Sequence, residues 1–270
     1  MTDSSGNDRK TSRLTTPRYV VPALDKGLEI LEMLSDTAVS MSQADIARAV
    51  GRNVSEIFRT LSALEARGYI RRTQAGQYRL TLKLFELSRT HSPYEELLRV
   101  AQPVMHELSE TLGETCHLTT MRDGEIVVLA QSEAPRAVRL SVEIGSRHSP
   151  LRTTSGRILL AAMDEDTRMA FLHGYTEFAS LAATEKAVFL ARVETISKRG
   201  FEIADGERFV GGLDVGVLVG TPRSVIKAAL IVATLKGAQN GPDPERLCAA
   251  VMKAALRITQ IAGISQVDNP

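Results

Sequence analysis

The chain contains no tryptophan, only two cysteines, and aromatic residues at just 4% of its 270 positions. Cys116 and Cys248 stand far apart, outside any paired-cysteine spacing, so no zinc or redox motif is encoded. Two buried thiols in a reducing compartment is the plain reading, and a redox-sensing pair is the alternative. Apolar runs of the roughly 18–20 residues that a membrane helix needs are also missing. Residues 1–18 are polar and mildly basic, so they are expected to be a disordered tail without a secretory signal, on a cytoplasmic protein. No phosphate-cradling or dinucleotide-binding glycine loop occurs. The five histidines, His91, His106, His117, His148 and His173, are scattered without ligand or triad spacing. A nucleophile needs a base within hydrogen-bond reach, so neither catalysis nor a metal or cofactor is expected. An excess of one charge sign is lacking too. The formal net charge is +1, and any surface for a polyanion must be local.

What is present begins with helical periodicity. In PALDKGLEILEML, Leu24, Leu28, Leu31 and Leu34 recur on one face. SQADIARAV follows, with Ser42 as the capping residue, Asp45 in the first turn, and Ile46 and Val50 facing inward. Gly51 ends it. Only Arg52 and Asn53 separate it from a third helix, VSEIFRTLSALEARG, whose buried stripe is Ile57, Leu61 and Leu64. Two short strands, YIRR and QYRL, then flank a turn from Thr73 to Gly76. Three helices and a hairpin in about 60 residues make a winged helix-turn-helix. Its domain is expected over 19–80, with a linker helix at 81–95 and a second domain at 96–266.

The helical pattern continues from Glu95 to Thr111, with a kink or fresh start expected at Pro103. Strands are expected at 115–121, 125–131, 138–144, 213–219 and 226–234. Helices are expected at 155–163, 165–173 and 184–199. A last helix opens on Asp243-Pro244, a capping residue followed by proline at the first helical position. The fold class is therefore α+β, with a mostly antiparallel sheet in the second domain.

DNA is a polyanion, so the charge of the helix-turn-helix matters. Residues 41–80 hold seven cations, all arginine, against three carboxylates. The arginine fork suits phosphates and guanine edges. Ser55, Arg59 and Ser62 lie opposite the apolar stripe of the third helix, with Arg59 the leading candidate for a base contact. Arg52 and Asn53 at the helix start, and Ser42 and Gln43 before it, are candidates for the phosphate backbone. Arg71, Arg72 and Gln74 place charge and polarity on the wing. Glu56 could accept from cytosine or cap the helix. Phe58, at the flank of the stripe, is expected in the core. A winged helix that only binds protein is the rival to DNA binding.

The ordered segments resemble the IclR-type regulators over Val21 to Ser265. ALDKGLEILEML, SQADIARAVG and RTLSALEARGYIRR match the family's opening helix, second helix, recognition helix and wing. PVMHELSETLGETCHLTTMRDGEIVVLAQ, SGRILLA, RGFEIADGE and Gly211-Gly212 continue the match. The resemblance implies a GAF-like sensor domain and a homodimer, or a tetramer of paired dimers. It also implies operator DNA with palindromic or repeated half-sites, and a small organic effector. Ser155 and Gly156 would offer backbone amides to a carboxylate at a helix N-terminus, with Arg152 and Arg157 assisting. Asp205 matches a pocket acid and Leu213 an apolar wall. Val215, Ile231 and Ala233 stand where members that sense very small acids carry polar residues. A larger, partly apolar effector is therefore expected, such as an aromatic acid or its amide. Val54, Glu56 and Phe58 depart from the family's recognition helix, so the operator should differ too. Effector binding is expected to reach the recognition helices through the helical stretch 81–112.

Overall fold

A computed structural model of the chain describes residues 21–37, 39–91, 94–207, 210–236 and 243–264. The expected tail at 1–18 and the last residues of the expected sensor range lie outside these. Two compact units divide near residue 92.

The first unit contains α1 (Pro22–Ser35), α2 (Gln43–Ala49), α3 (Val54–Ala66), the hairpin β1 (Ile70–Arg72) and β2 (Tyr78–Leu80), and α4 (Lys83–His91). Ser42 caps α2 by accepting from the Asp45 amide at 3.2 Å. Gly51, at φ +63°, then turns the chain toward α3. Ile30, Leu31 and Leu34 of α1 meet Ile46 and Ala47 of α2, Ile57 and Leu61 of α3, and Ile70 and Tyr78 of the hairpin. Met41 exchanges two backbone hydrogen bonds with Tyr78, adding a third short rung to the wing. The expected leucine stripe on α1 is rotated. Its inward face centres on Gly27, Ile30, Leu31 and Leu34, which leaves Leu24 and Leu28 exposed.

The second unit is built on one antiparallel sheet. Its strands are β3 (Thr115–Arg122), β4 (Glu125–Ser132), β5 (Arg147–His148), β6 (Phe201–Asp205), β7 (Gly212–Val219) and β8 (Ala228–Leu235). They lie in the order β5-β4-β3-β8-β7-β6. Strand alternation sorts the side chains into two layers. Cys116, Leu118, Leu213, Val215, Val217, Leu230 and Val232 face α5 (Glu95–Leu112) and α10 (Pro244–Ile261). Ile126, Ala229 and Ile231 face α6 (Thr154–Ala161), α7 (Glu165–Gly174), α8 (Thr176–Ala179) and α9 (Ala183–Arg199). Two close approaches seat α6. A Cβ on Gly216 would lie 2.5 Å from Ile158 Cδ1, and one on Gly156 would lie 2.1 Å from the Pro150 carbonyl oxygen.

Three sequence expectations change here. Helix α5 makes no fresh start at Pro103 but runs on through it, with Leu97, Val100, Ala101, Val104 and Met105 packed in the core. β5, β6 and α8 are additional elements. The segment 138–144 alternates like a strand but forms none. Side chains satisfy it instead: the Val142 amide donates to Gln131 Oε1, and Gln131 Nε2 donates to Ser141 Oγ at 2.9 Å.

Both cysteines belong to the core between the sheet and α5 and α10, Cys116 on β3 and Cys248 on α10. Burial pushes the Cys116 thiol up to about 12, and burial raises that of Cys248 as well. The thiolate is the reactive form, so neither thiol is poised for redox sensing. With a chromogenic disulfide at pH 8, the native protein is expected to release no fast thiol, and the guanidinium-unfolded protein two. A fast native burst would contradict this burial.

Candidate functional site

On α3, Ile57 and Leu61 are buried, while Val54, Ser55, Phe58, Arg59 and Ser62 are exposed. Their spacing gathers them on one helical face. Among the described residues, the Arg59 side chain has no ion-pair or hydrogen-bond partner. Phe58, expected in the core, is 55% exposed beside it. A solvent-facing aromatic next to an uncommitted arginine can offer apolar contact to a thymine methyl and a fork to guanine. The side chains of Arg71 and Gln74 on the wing are likewise exposed and make no hydrogen bond among the described residues.

The other six candidates of this set are engaged within the chain. Ser42 donates to the Asp45 carboxylate at 2.6 Å as well as capping α2. Gln43 donates to the Val54 carbonyl at 3.0 Å, tying α2 to the start of α3. Arg52 pairs with Glu29 of α1 at 3.0 Å. The Asn53 amide donates to Glu56 at 3.1 Å, so Glu56 caps α3 rather than standing free. Arg72 donates to the Gly76 carbonyl and lies 5.6 Å over the Tyr78 ring, bracing the wing. These contacts hold the exposed face of α3 in place.

In the second unit, a cavity of about 250 Å³ opens between the sheet and the start of α6. Its floor crosses the sheet from His148 on β5, through Ile126 and Val128 on β4 and His117 and Thr119 on β3, to Ile231 and Ala233 on β8 and Asp214 on β7. Leu140, Ser141 and Val142 form one rim, and Thr153, Thr154 and Ser155 form the other. The irregular path of 138–144 therefore serves this rim. Among the described residues, no lysine or arginine lines the cavity, and Asp214 is the one carboxylate that does.

Of the eight expected effector contacts, Ser155, Ile231 and Ala233 line the cavity. Leu213 and Val215 do not, because they sit on the opposite face of β7, under α5 and α10. Asp214, one residue away, takes the cavity side, and a step of one along a strand exchanges faces. Asp205 ends β6, 58% exposed, and pairs with Lys236. The Gly156 amide already donates to Thr153 Oγ1 at 3.1 Å, so it serves the cap of α6 rather than a ligand. Arg157 is buried and pairs with Glu207 at 2.9 Å beside the fully buried Glu202. Burial and the neighbouring Arg192 lower its pKa, against the pull of both carboxylates. Arg152 pairs with Glu177. Sequence reasoning missed His117, Thr119, His148, Thr154 and Asp214. The alternation along β3 and β7 was the signal that could have found three of them.

Two family descriptions match this chain. "IclR helix-turn-helix domain" covers residues 23–74, and "Bacterial transcriptional regulator IclR C-terminal" covers residues 93–260. The regulator XynR of Escherichia coli K12 is 25% identical over 247 residues, spanning 90% of this chain and 98% of that protein. The repressor AllR of Salmonella typhimurium LT2 is 26% identical over 214 residues, spanning 78% of this chain and 79% of that protein. Among solved structures, an IclR homologue of Microbacterium hydrocarbonoxydans, complexed with 4-hydroxybenzoate, superposes with a TM-score of 0.75. It is 21% identical and covers 89% of this chain and 99% of its own.

Proposed function

The chain belongs to the IclR family of helix-turn-helix transcriptional regulators, and from that premise we propose that it represses a catabolic operon until a small, partly apolar effector occupies the cavity of its second unit. Family membership makes it a DNA-binding regulator rather than an enzyme. The observation that carries the proposal is the open face of α3, where Ser55, Phe58, Arg59 and Ser62 stand free of the fold. Arg59 reads a base edge, and Arg71 and Gln74 place the wing on the backbone. Ser42, Gln43, Arg52, Asn53, Glu56 and Arg72 support this surface through the contacts described above.

The effector would sit between Ile126, Val128 and Ile231, with polar groups at the rim. Such a lining, apolar with a few placed polar groups, suits a small organic ligand. The 4-hydroxybenzoate held by the Microbacterium relative supports an effector of aromatic size. Operators with two half-sites call for two copies of the chain. Leu24 and Leu28 on α1, and Leu82, Leu84, Phe85 and Leu87 at α4, are large apolar side chains left exposed on the first unit. Large apolar side chains left exposed favour coverage by a second copy, giving a dimer or a pair of dimers. As a DNA-bound regulator, it would act in the cytoplasm.

Electrophoretic shift with the DNA upstream of the gene tests the operator reading. Arg71→Ala is expected to weaken binding to all sequences alike and to lower the salt slope by about one. Loss of sequence preference instead would move Arg71 from the backbone to a base.

A further inference from the structure

On the outward face of α3, Ser55, Ser62 and Ala66 are short exposed side chains, and Phe58 and Arg59 project beyond them. The two carboxylates of the helix are turned back into the unit. Glu56 accepts from the Asn53 amide and Glu65 from the Arg72 amide, each at 3.1 Å. Val54 and Phe58, four residues apart on α3, stand one above the other and are 46% and 55% exposed. Val54 is the first residue of the helix, in the half that meets base edges when such a helix enters the major groove. Among the described residues, no other ring and no cation partners Phe58. Most of what DNA presents to this face is polar or charged. The apolar group that a base pair places in the major groove is the C5-methyl of thymine.

We propose that Phe58, backed by Val54, reads the C5-methyl group of one thymine in each operator half-site, and so is a specificity-determining residue in its own right. The methyl leaves water against the ring, which contributes as any buried methyl does. The short Ser55 and Ser62 let the backbone of α3 approach the groove closely enough for that contact. The inference rests on α3 being the helix that enters the major groove. It adds an apolar reading of sequence to the hydrogen-bonded one made by Arg59.

The test is a thymine-to-uracil scan of the DNA upstream of the gene, read by equilibrium titration of the full-length protein. Uracil keeps the hydrogen-bonding groups of thymine and lacks the methyl. With the parent, substitution at one position of a half-site is expected to weaken binding about 4-fold, the worth of one buried methyl. In Phe58→Ala, thymine and uracil at that position are expected to bind alike, with melting parent-like because the side chain is exposed. Phe58→Gln, polar and of similar reach, is a second variant with the same expected loss of discrimination. Arg59→Ala should bind more weakly and keep the 4-fold difference. A specific complex with no methyl-sensitive position would overturn the inference and leave α3 standing as the groove helix. A difference that persists in well-folded Phe58→Ala or Phe58→Gln protein would give the methyl to another residue and overturn it too. If the upstream DNA is bound no more tightly than unrelated DNA, the operator reading falls and the inference falls with it.

Discussion

Arg59→Ala is expected to weaken operator binding by about 10- to 100-fold, the loss that follows from removing one bidentate base contact. Stability should be unchanged, because the side chain is exposed and engages no group among the described residues. That separation is informative. Arg52 pairs with Glu29, and Arg72 braces the wing, so their removal would blur folding with binding. The loss at Arg59 should also relax discrimination at one operator position and leave non-specific binding nearly intact. Equilibrium titration of labelled operator, with and without competitor DNA, checks both parts. A uniform fall across all sequences would make Arg59 a phosphate contact instead.

The largest expected effect in the second unit is from Gly156→Ala. The added Cβ would lie 2.1 Å from the Pro150 carbonyl oxygen and 2.4 Å from its Cα. Both are backbone atoms, so no side-chain rotation relieves the clash. Either α6 or the loop before it must shift. A destabilisation of about 3 kcal/mol is expected, above the usual range for a single methyl because the neighbour is main chain. For a unit of this size it corresponds to a melting temperature lower by roughly 6–12 °C. The response to effector should weaken as well, since the same shift displaces Thr154 and Ser155 from the rim. Gly174→Ala is the control: nothing lies within 4 Å of its added Cβ, and the substitution is expected to be neutral or slightly stabilising. Calorimetric melting of the three proteins decides the matter. A parent-like Gly156→Ala would mean that Pro150 does not press against α6.

Much of the fold could be read from local chemistry. The spacing of Ile57 and Leu61 marks α3, and Asp243-Pro244 announces α10, where Asp243 accepts from the Glu245 amide at 3.0 Å. The wing follows from its turn, closed by Gly76 at φ +77°. What local chemistry could not supply was the assembly. The alternation of Val138, Leu140, Val142 and Ile144 is a sound strand signal, yet the Gln131 side chain takes the Val142 amide and the segment becomes a rim. On α1, four leucines recur helically, but the inward face also takes Gly27 and Ile30, so two leucines stay outside.

The cavity shows the same limit at its sharpest. It draws on five strands and the start of a helix, and a one-residue step along β7 separates the expected Leu213 and Val215 from the cavity-facing Asp214. An acid between apolar neighbours gives no local sign of which face it takes. The α3 face was more legible, because helical period alone sets Ser55, Arg59 and Ser62 opposite the core. Phe58 was the exception. It flanks the stripe, and no further element among the described residues of the first unit covers it.

The most direct measurement is site-specific photo-crosslinking from α3. With a photoreactive phenylalanine analogue in place of Phe58, irradiation of the operator complex should join the protein to bases at fixed positions within each half-site. The same analogue at Val188, exposed on α9, should give no such product. Crosslinks from 188 but not from 58, in a complex that still forms, would mean that another surface holds the DNA.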